Sequence, residues 1–170
     1  MNHKIEIHST KNLSSERSLE LVSWFNKEFG KIPFQWADPD WYVLALSDSK
    51  LIGRVGIIER KVSVNGGMLE IAGISGVVTG ERWRGAGVAS EMLKRAAAFI
   101  GNRLKIKYCL LLCRSEVAPF YEKLGWKIID QPTTFDQPSG KAVFPRLTMI
   151  LELGETQWPN GPVDLCGLPW

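Results

Sequence analysis

Apolar and polar residues alternate over positions 4–8, which predicts an opening strand. The period then changes. Leu21, Val22, Phe25 and Phe29 recur at the three- and four-residue spacing of one helix face. Ser14 or Ser15 is placed to cap that helix, and Gly30 to end it after Phe29. Residues 31–40 follow neither period and read as a loop carrying Pro33, Phe34, Trp36 and Pro39. Strand-like runs at 42–47 and 51–59 flank Asp48-Ser49-Lys50. Two more, 60–64 and 68–79, flank Asn65-Gly66-Gly67, where Asn-Gly supplies the positive φ angles that a tight hairpin turn needs.

The second half opens with a helix predicted from Gly85 to about Ile100, with Val88, Met92, Ala96 and Phe99 on one stripe. Residues 106–113 are apolar apart from Lys107, the pattern of a strand buried on both faces. Ser115 is read as the cap of a short helix over 116–124 that Gly125 stops. Pro119 fits that helix only within its first turn. Two further strands are predicted at 126–130 and 147–153, with 131–141 as the loop between them. The order β-α-ββ-β-α-β-α-ββ predicts an α/β (α+β) fold spanning residues 1–170 as one domain. Its mixed, mostly antiparallel sheet would have about six to seven strands and helices on both faces.

Composition narrows the function mainly by exclusion. A chain of 170 residues buries roughly 70% of its unfolded surface, so it needs no metal or disulfide staple. The net charge is +3 with no dense Lys/Arg run, which gives no ground for a nucleic-acid partner. No apolar stretch has the length of a membrane span, and the first residues lack the apolar core of a leader. The expectation is therefore a cytoplasmic protein with no membrane partner. Cys109, Cys113 and Cys166 are too few and too irregular for a disulfide framework, and the first two lie in an apolar run as buried thiols. His3 and His8 are both read into the first strand, and no cluster has metal-ligand spacing, so no metal is expected.

The chemistry concentrates in residues 74–92. A strand ends near Thr79, a turn carries Arg82 and Arg84, and Gly85-Ala86-Gly87 opens a helix. First-turn N–H groups lack helical partners, the macrodipole adds positive charge there, and glycines let an anion approach the backbone. Two arginines add charge-assisted hydrogen bonds, so the segment reads as a pyrophosphate cradle. The plainer reading is a tight glycine turn with both arginines in solvent. A dinucleotide fold is disfavoured, because Lys105 and Lys107 stand where an acidic residue would be required.

These residues resemble the GNAT superfamily of acyl-CoA transferases. Arg82-Trp83-Arg84-Gly85-Ala86-Gly87 matches its Gln/Arg-x-x-Gly-x-Gly/Ala turn. About 30 residues on, Leu110–Cys113 and then Tyr121-Glu122-Lys123-Leu124-Gly125-Trp126 match its buried strand and Tyr-x-x-x-Gly-aromatic helix. The resemblance implies acetyl-CoA as the coenzyme and direct attack by a primary amine of a small-molecule acceptor on the thioester. It implies that Val77, Val78 and Thr79 pair with the pantetheine arm. It also implies that Arg82, Arg84, Gly85, Ala86, Gly87, Val88, Ala89 and Ser90 form the pyrophosphate site. Tyr121 would protonate the leaving thiolate, since unperturbed Tyr and Cys pKa values lie within roughly two units of each other. Ser115 stands where relatives place an Asn on the pantetheine. Glu70, or a water ordered by Ser75, would take the amine proton.

A narrower similarity, to the aminoglycoside 2′-N-acetyltransferases, rests on 76–79, 82–85, Asp40-Trp41 and the terminal Trp170, although Ser75 stands where that group has a Glu. The tail 154–170 carries Trp158, Leu165, Leu168 and Trp170, too apolar for a disordered segment. It is expected to fold back near the 31–42 loop, so that Phe34, Trp36, Asp40 and the Trp170 carboxylate face the acceptor. A latch over the sheet and a homodimer contact stay open as alternatives. A non-catalytic acyl-CoA-binding module is the competing function.

Overall fold

The computed structural model describes residues 2–30 and 33–170, so positions 31 and 32 of the expected aromatic loop lie outside it. Among the described residues, ten strands and three α-helices follow in chain order: β1 (Lys4–Ser9), α1 (Ser15–Phe29), β2 (Trp41–Ser47), β3 (Lys50–Val64) and β4 (Gly67–Thr79). Then come α2 (Val88–Phe99), β5 (Tyr108–Cys113), α3 (Ala118–Glu122), β6 (Lys127–Ile129), β7 (Thr133–Gln137), β8 (Gly140–Val143), β9 (Leu147–Glu152) and β10 (Val163–Asp164). They form one mixed sheet, ordered β6-β9-β5-β4-β3-β10-β7-β8, with β1 and β2 beside the first half of β3. Among the described residues, only β4–β5 and β10–β7 are parallel pairs.

The two faces of the sheet bury different things, because side chains alternate along a strand. On one face Ala72, Ile74, Cys109 and Leu111 meet the α2 stripe of Val88, Met92 and Ala96, together with Tyr121 from α3. On the other face Ile71 and Leu110 meet Phe135, Leu165 and Trp170 from the chain's last third. Further along that face, α1 lays Leu21 against Tyr42 and Leu44. Fully burying a side chain the size of Leu or Phe contributes roughly 1.5–3 kcal/mol, so these contacts account for the order of the tail.

Several expectations change here. The predicted loop 131–141 is a hairpin, β7 paired with β8 through Phe135↔Ala142. The tail adds β10, wedged between β3 and β7 (Val163↔Val64 and Val163↔Thr133). β10 depends on partners distant in sequence, which local patterning does not register, whereas β7–β8 is a local hairpin in a segment read as a loop; together they raise the strand count above six to seven. Runs 51–59 and 60–64 are one strand. On α1 Ser14 does cap the helix, accepting from the Arg17 N–H, but Val22 is 52% exposed and leaves the buried face to Leu21. α2 begins at Val88 rather than Gly85, and a single wide turn, Ile100–Leu104, continues it. Ser115 does not cap its helix. It begins a 3-10 turn whose cap position belongs to Arg114, and no side chain bonds there. Pro119 lies in the first turn of α3. His3 precedes β1 and bonds Glu91 at 2.8 Å. Among the described residues, no helix is long and apolar enough to cross a membrane.

Candidate functional site

Strands β4 and β5 pair only where Ala72–Ile74 meets Cys109–Leu111, and then they part. A bulge drives the separation. Arg54 pairs with Val78 and Gly56 with Ser75, so Gly76 and Val77 together oppose Val55 alone. The extra residue bends a bulged strand away from its neighbour. Gly76 has φ 51°, in the left-handed region, and a Cβ there would sit 2.5 Å from Arg54 Nη2. Backbone and space both demand glycine.

The Arg54 side chain beneath the bulge is 2% exposed. Its Nη1 donates to the Leu21 carbonyl at 2.7 Å, and its guanidinium lies 4.8 Å from the Tyr42 ring and 5.4 Å from the Phe25 ring. Burial lowers its pKa, while the aromatic faces offset part of the cost of a desolvated cation.

A cavity of about 430 Å³ opens at the splay. Ser75, Gly76 and Val77 border it from β4, Leu111, Leu112 and Cys113 from β5, and Tyr121 from α3. Opposite them stand Phe25, Glu28 and Phe29 of α1, then Phe34, Trp36 and Phe144. Trp170 closes one side. Its indole lies on Gly73 and donates to the Leu110 carbonyl at 3.2 Å, and the Pro169 carbonyl beside it accepts from Ala37 N–H at 2.7 Å. Arg114 and Arg146 complete the rim.

Past the end of β4 the chain forms the cradle. Gly85 and Gly87 have φ 78° and 83°, and a Cβ built on either meets nothing within 4 Å. Gly87 occupies the cap position of α2 with no side-chain bond, and the Glu91 N–H to Gly87 carbonyl bond is the first of the helix. The N–H groups of Val88, Ala89 and Ser90 therefore have no helical partner. The result is a positive, open, 12-residue helix end. Arg84 links cradle to cavity. Its Nε donates to the Thr79 carbonyl at 3.2 Å and its Nη2 to Glu28 Oε2 at 2.7 Å. Arg82 is exposed.

Tyr121 is 8% exposed, packed between Phe120 and Trp126 at ring separations of 5.1 and 6.0 Å. Burial, reinforced by nearby Cys113, pushes its phenol well above the usual value. The group therefore keeps its proton throughout the neutral range.

The structure brings Ser75, Val77, Tyr121, Phe34, Trp36 and Trp170 to one cavity. Glu70 lies elsewhere. It is exposed opposite Lys61, and five residues of strand put it about 16 Å from Ser75. Asp40 is likewise absent from the wall, and its Oδ2 accepts from Glu59 N–H at 2.8 Å, fixing the entry to β2. Ser115 borders a second cleft with Arg114 and Arg146. Val78 is buried, and Thr79 meets the cradle through Arg84. Sequence reasoning missed Glu28, Arg114 and Arg146. Glu28 sits in the last turn of a helix and carries no motif; only the tertiary fold makes it a cavity carboxylate.

Residues 16–129 match the family described as Acetyltransferase (GNAT) domain. Among solved structures, the chain resembles ElaA of Escherichia coli at 16% identity and a TM-score of 0.67, over 89% of this chain and 100% of that one. It resembles an acyl-CoA N-acyltransferase from Pseudomonas aeruginosa at 15% identity and 0.64, over 88% and 99%. A third is the Escherichia coli GNAT family N-acetyltransferase YhbS in complex with CoA, at 16% and 0.63, over 96% and 89%. At these identities the likeness is one of fold.

Proposed function

The chain belongs to the GNAT acetyltransferase family, and on that premise we propose that it moves the acetyl group of acetyl-CoA to a primary amine of a small-molecule acceptor. The family makes it an acyltransferase that uses acetyl-CoA. The observation that carries the finer reading is the alignment of three parts: the open end of α2, the gap between β4 and β5, and a protonated phenol on the cavity wall.

The residues fit the coenzyme. The N–H groups of Val88, Ala89 and Ser90, with Arg82 and Arg84, receive a pyrophosphate. The unpaired edge of β4 at Val77, Val78 and Thr79 accepts an extended arm as an added strand. Ser115 stands at the turn after β5 and contacts that arm from the other side. Acetyl-CoA supplies a thioester carbonyl, so that the N–C bond to the acceptor forms as the C–S bond breaks.

Tyr121 gives its proton to the departing sulfur. Burial secures the proton but weakens the acid, a balance set by how well its pKa matches that of the leaving thiol. Glu28 takes the proton of the amine, directly or through a water held by Ser75. Its Oε2 is held by Arg84, which leaves Oε1 for the proton. Phe25, Phe29 and Trp36 exclude bulk water and position the acceptor.

The test is thiol release from acetyl-CoA by the purified protein across a panel of primary amines, after mass spectrometry for co-purified coenzyme. Transfer to at least one amine is expected. Tight coenzyme binding with no release for any amine would leave a coenzyme-binding module instead.

A further inference from the structure

The charges around the cavity do not suit a polycation. Among the described residues its lining holds one side-chain carboxylate, Glu28, already engaged by Arg84 at 2.7 Å. Two arginines also line the cavity, Arg114 at the end of β5 and Arg146 just before β9. Both are exposed, and neither is ion-paired with any carboxylate among the described residues. Both also border the adjoining cleft, where Glu116 lies, so they stand at the junction of the two openings. Much of the remaining lining is aromatic, with Phe25, Phe29, Phe34, Trp36, Phe144 and Trp170. Phe34 packs edge-on to Phe135 at 5.0 Å and lies 6.3 Å from Trp36, so this wall is fixed by the core behind it.

We infer that the acceptor is an amine bearing a carboxylate beside an aromatic or branched apolar side chain, that is, a hydrophobic amino acid or close analogue. Arg114 and Arg146 bind the carboxylate, and the aromatic wall takes the side chain. This rests on the amine-acetyltransferase reading above. Guanidinium groups match a carboxylate in a two-point geometry that fixes orientation as well as charge. A cavity of about 430 Å³ is near the low end of ordinary ligand pockets, which suits a body of one ring shared with the end of the coenzyme arm. Holding the carboxylate at the rim points the α-amino group inward, toward Ser75, Glu28 and the gap. The same two cations repel an aminoglycoside.

The experiment compares L-phenylalanine, L-leucine and L-tryptophan with their decarboxylated amines, an amine bearing a phosphate, and kanamycin. The first readout is kcat/KM for thiol release. The second is binding to the CoA-loaded protein followed by tryptophan fluorescence, which does not depend on turnover. The amino acids are expected to exceed their decarboxylated counterparts by tenfold or more in both. Arg146→Ala and Arg114→Ala should each erase most of that preference through KM, with CoA affinity held within about twofold. Equal or better use of the decarboxylated amines, the phosphate amine or kanamycin overturns the acceptor class while leaving acetyl transfer standing. Equal loss of CoA and acceptor affinity in the arginine variants also overturns it, because the cations would then serve the coenzyme. If no amine releases thiol, the transfer reading fails, and fluorescence still decides whether the cavity selects carboxylates.

Discussion

The Trp170 indole lies flat against Gly73, where a Cβ would approach the ring to 2.3 Å. Gly73 pairs with Leu110, and the same indole donates to the Leu110 carbonyl, so the last residue caps the β4–β5 junction just before the strands part. Gly73→Ala should therefore displace Trp170. Overpacking typically costs about 1–3 kcal/mol, and each kcal/mol lowers Tm by about 2–4 °C at this chain length. Acceptor KM should rise more than the Kd for CoA. A Gly73→Ala protein with wild-type melting and kinetics would refute the contact.

Gly87→Asp tests the cradle. The variant puts a side chain and a negative charge into space that is open at φ 83°, against the proposed site for the pyrophosphate. Calorimetry should show CoA affinity reduced tenfold or more, about 1.4 kcal/mol per factor of ten. Unchanged affinity in a folded variant would place the phosphates elsewhere.

Tyr121→Phe keeps the packing with Phe120 and Trp126 and removes the proton. General acid catalysis is typically worth ~10²–10⁴-fold, so kcat should fall on that scale with CoA affinity retained. A loss below about threefold would assign the proton to another group or make a later step limiting.

Glu28→Gln keeps an acceptor for Arg84 and removes the proposed base. At neutral pH kcat/KM for the amine should drop by about 10²-fold, the low end for proton-transfer catalysis, and recover as rising pH deprotonates the free amine. Glu70→Gln, on an exposed strand position, should behave as wild type. A large effect from Glu70 and none from Glu28 would reverse the assignment.

Buried thiols and phenols contribute to the alkaline limit of stability. Burial pushes Cys109 up to about 12 and Cys113 up to about 11, and it raises Tyr42 and Tyr121 as well. In each case the folded chain keeps a proton that the unfolded chain has already lost. The associated stability is complete below about pH 8.5, the ordinary thiol value, and falls as pH rises toward the folded values. Melting temperature should decline from about pH 8.5 upward, with a shallower slope in Cys109→Ala. At neutral pH a thiol reagent should label exposed Cys166 first.

Much of the cradle is legible in the chain, because it is local. Arg82, Arg84, Gly85 and Gly87 act within one turn, and the consequences of a glycine-opened helix end follow from backbone chemistry alone. The same holds for Ser14 capping α1, for the Asn65-Gly66 hairpin and for the continuous apolar run that becomes β5. β10 was not legible, since it pairs with β7 across about 30 residues of chain and with β3 across more, and the β7–β8 hairpin, although local, lay in a segment read as a loop. The acceptor side was least legible of all. Glu28 at a helix end, Arg114 after a strand, Arg146 in a loop and Trp170 at the last position share no spacing. They meet only because the Gly76 bulge parts two strands and the tail folds onto Gly73. Sequence by itself determined where an anion can meet the backbone, since that depends on consecutive residues. Only the tertiary structure decided which charges and rings line the cavity, because those side chains are brought together by packing between segments far apart in the chain.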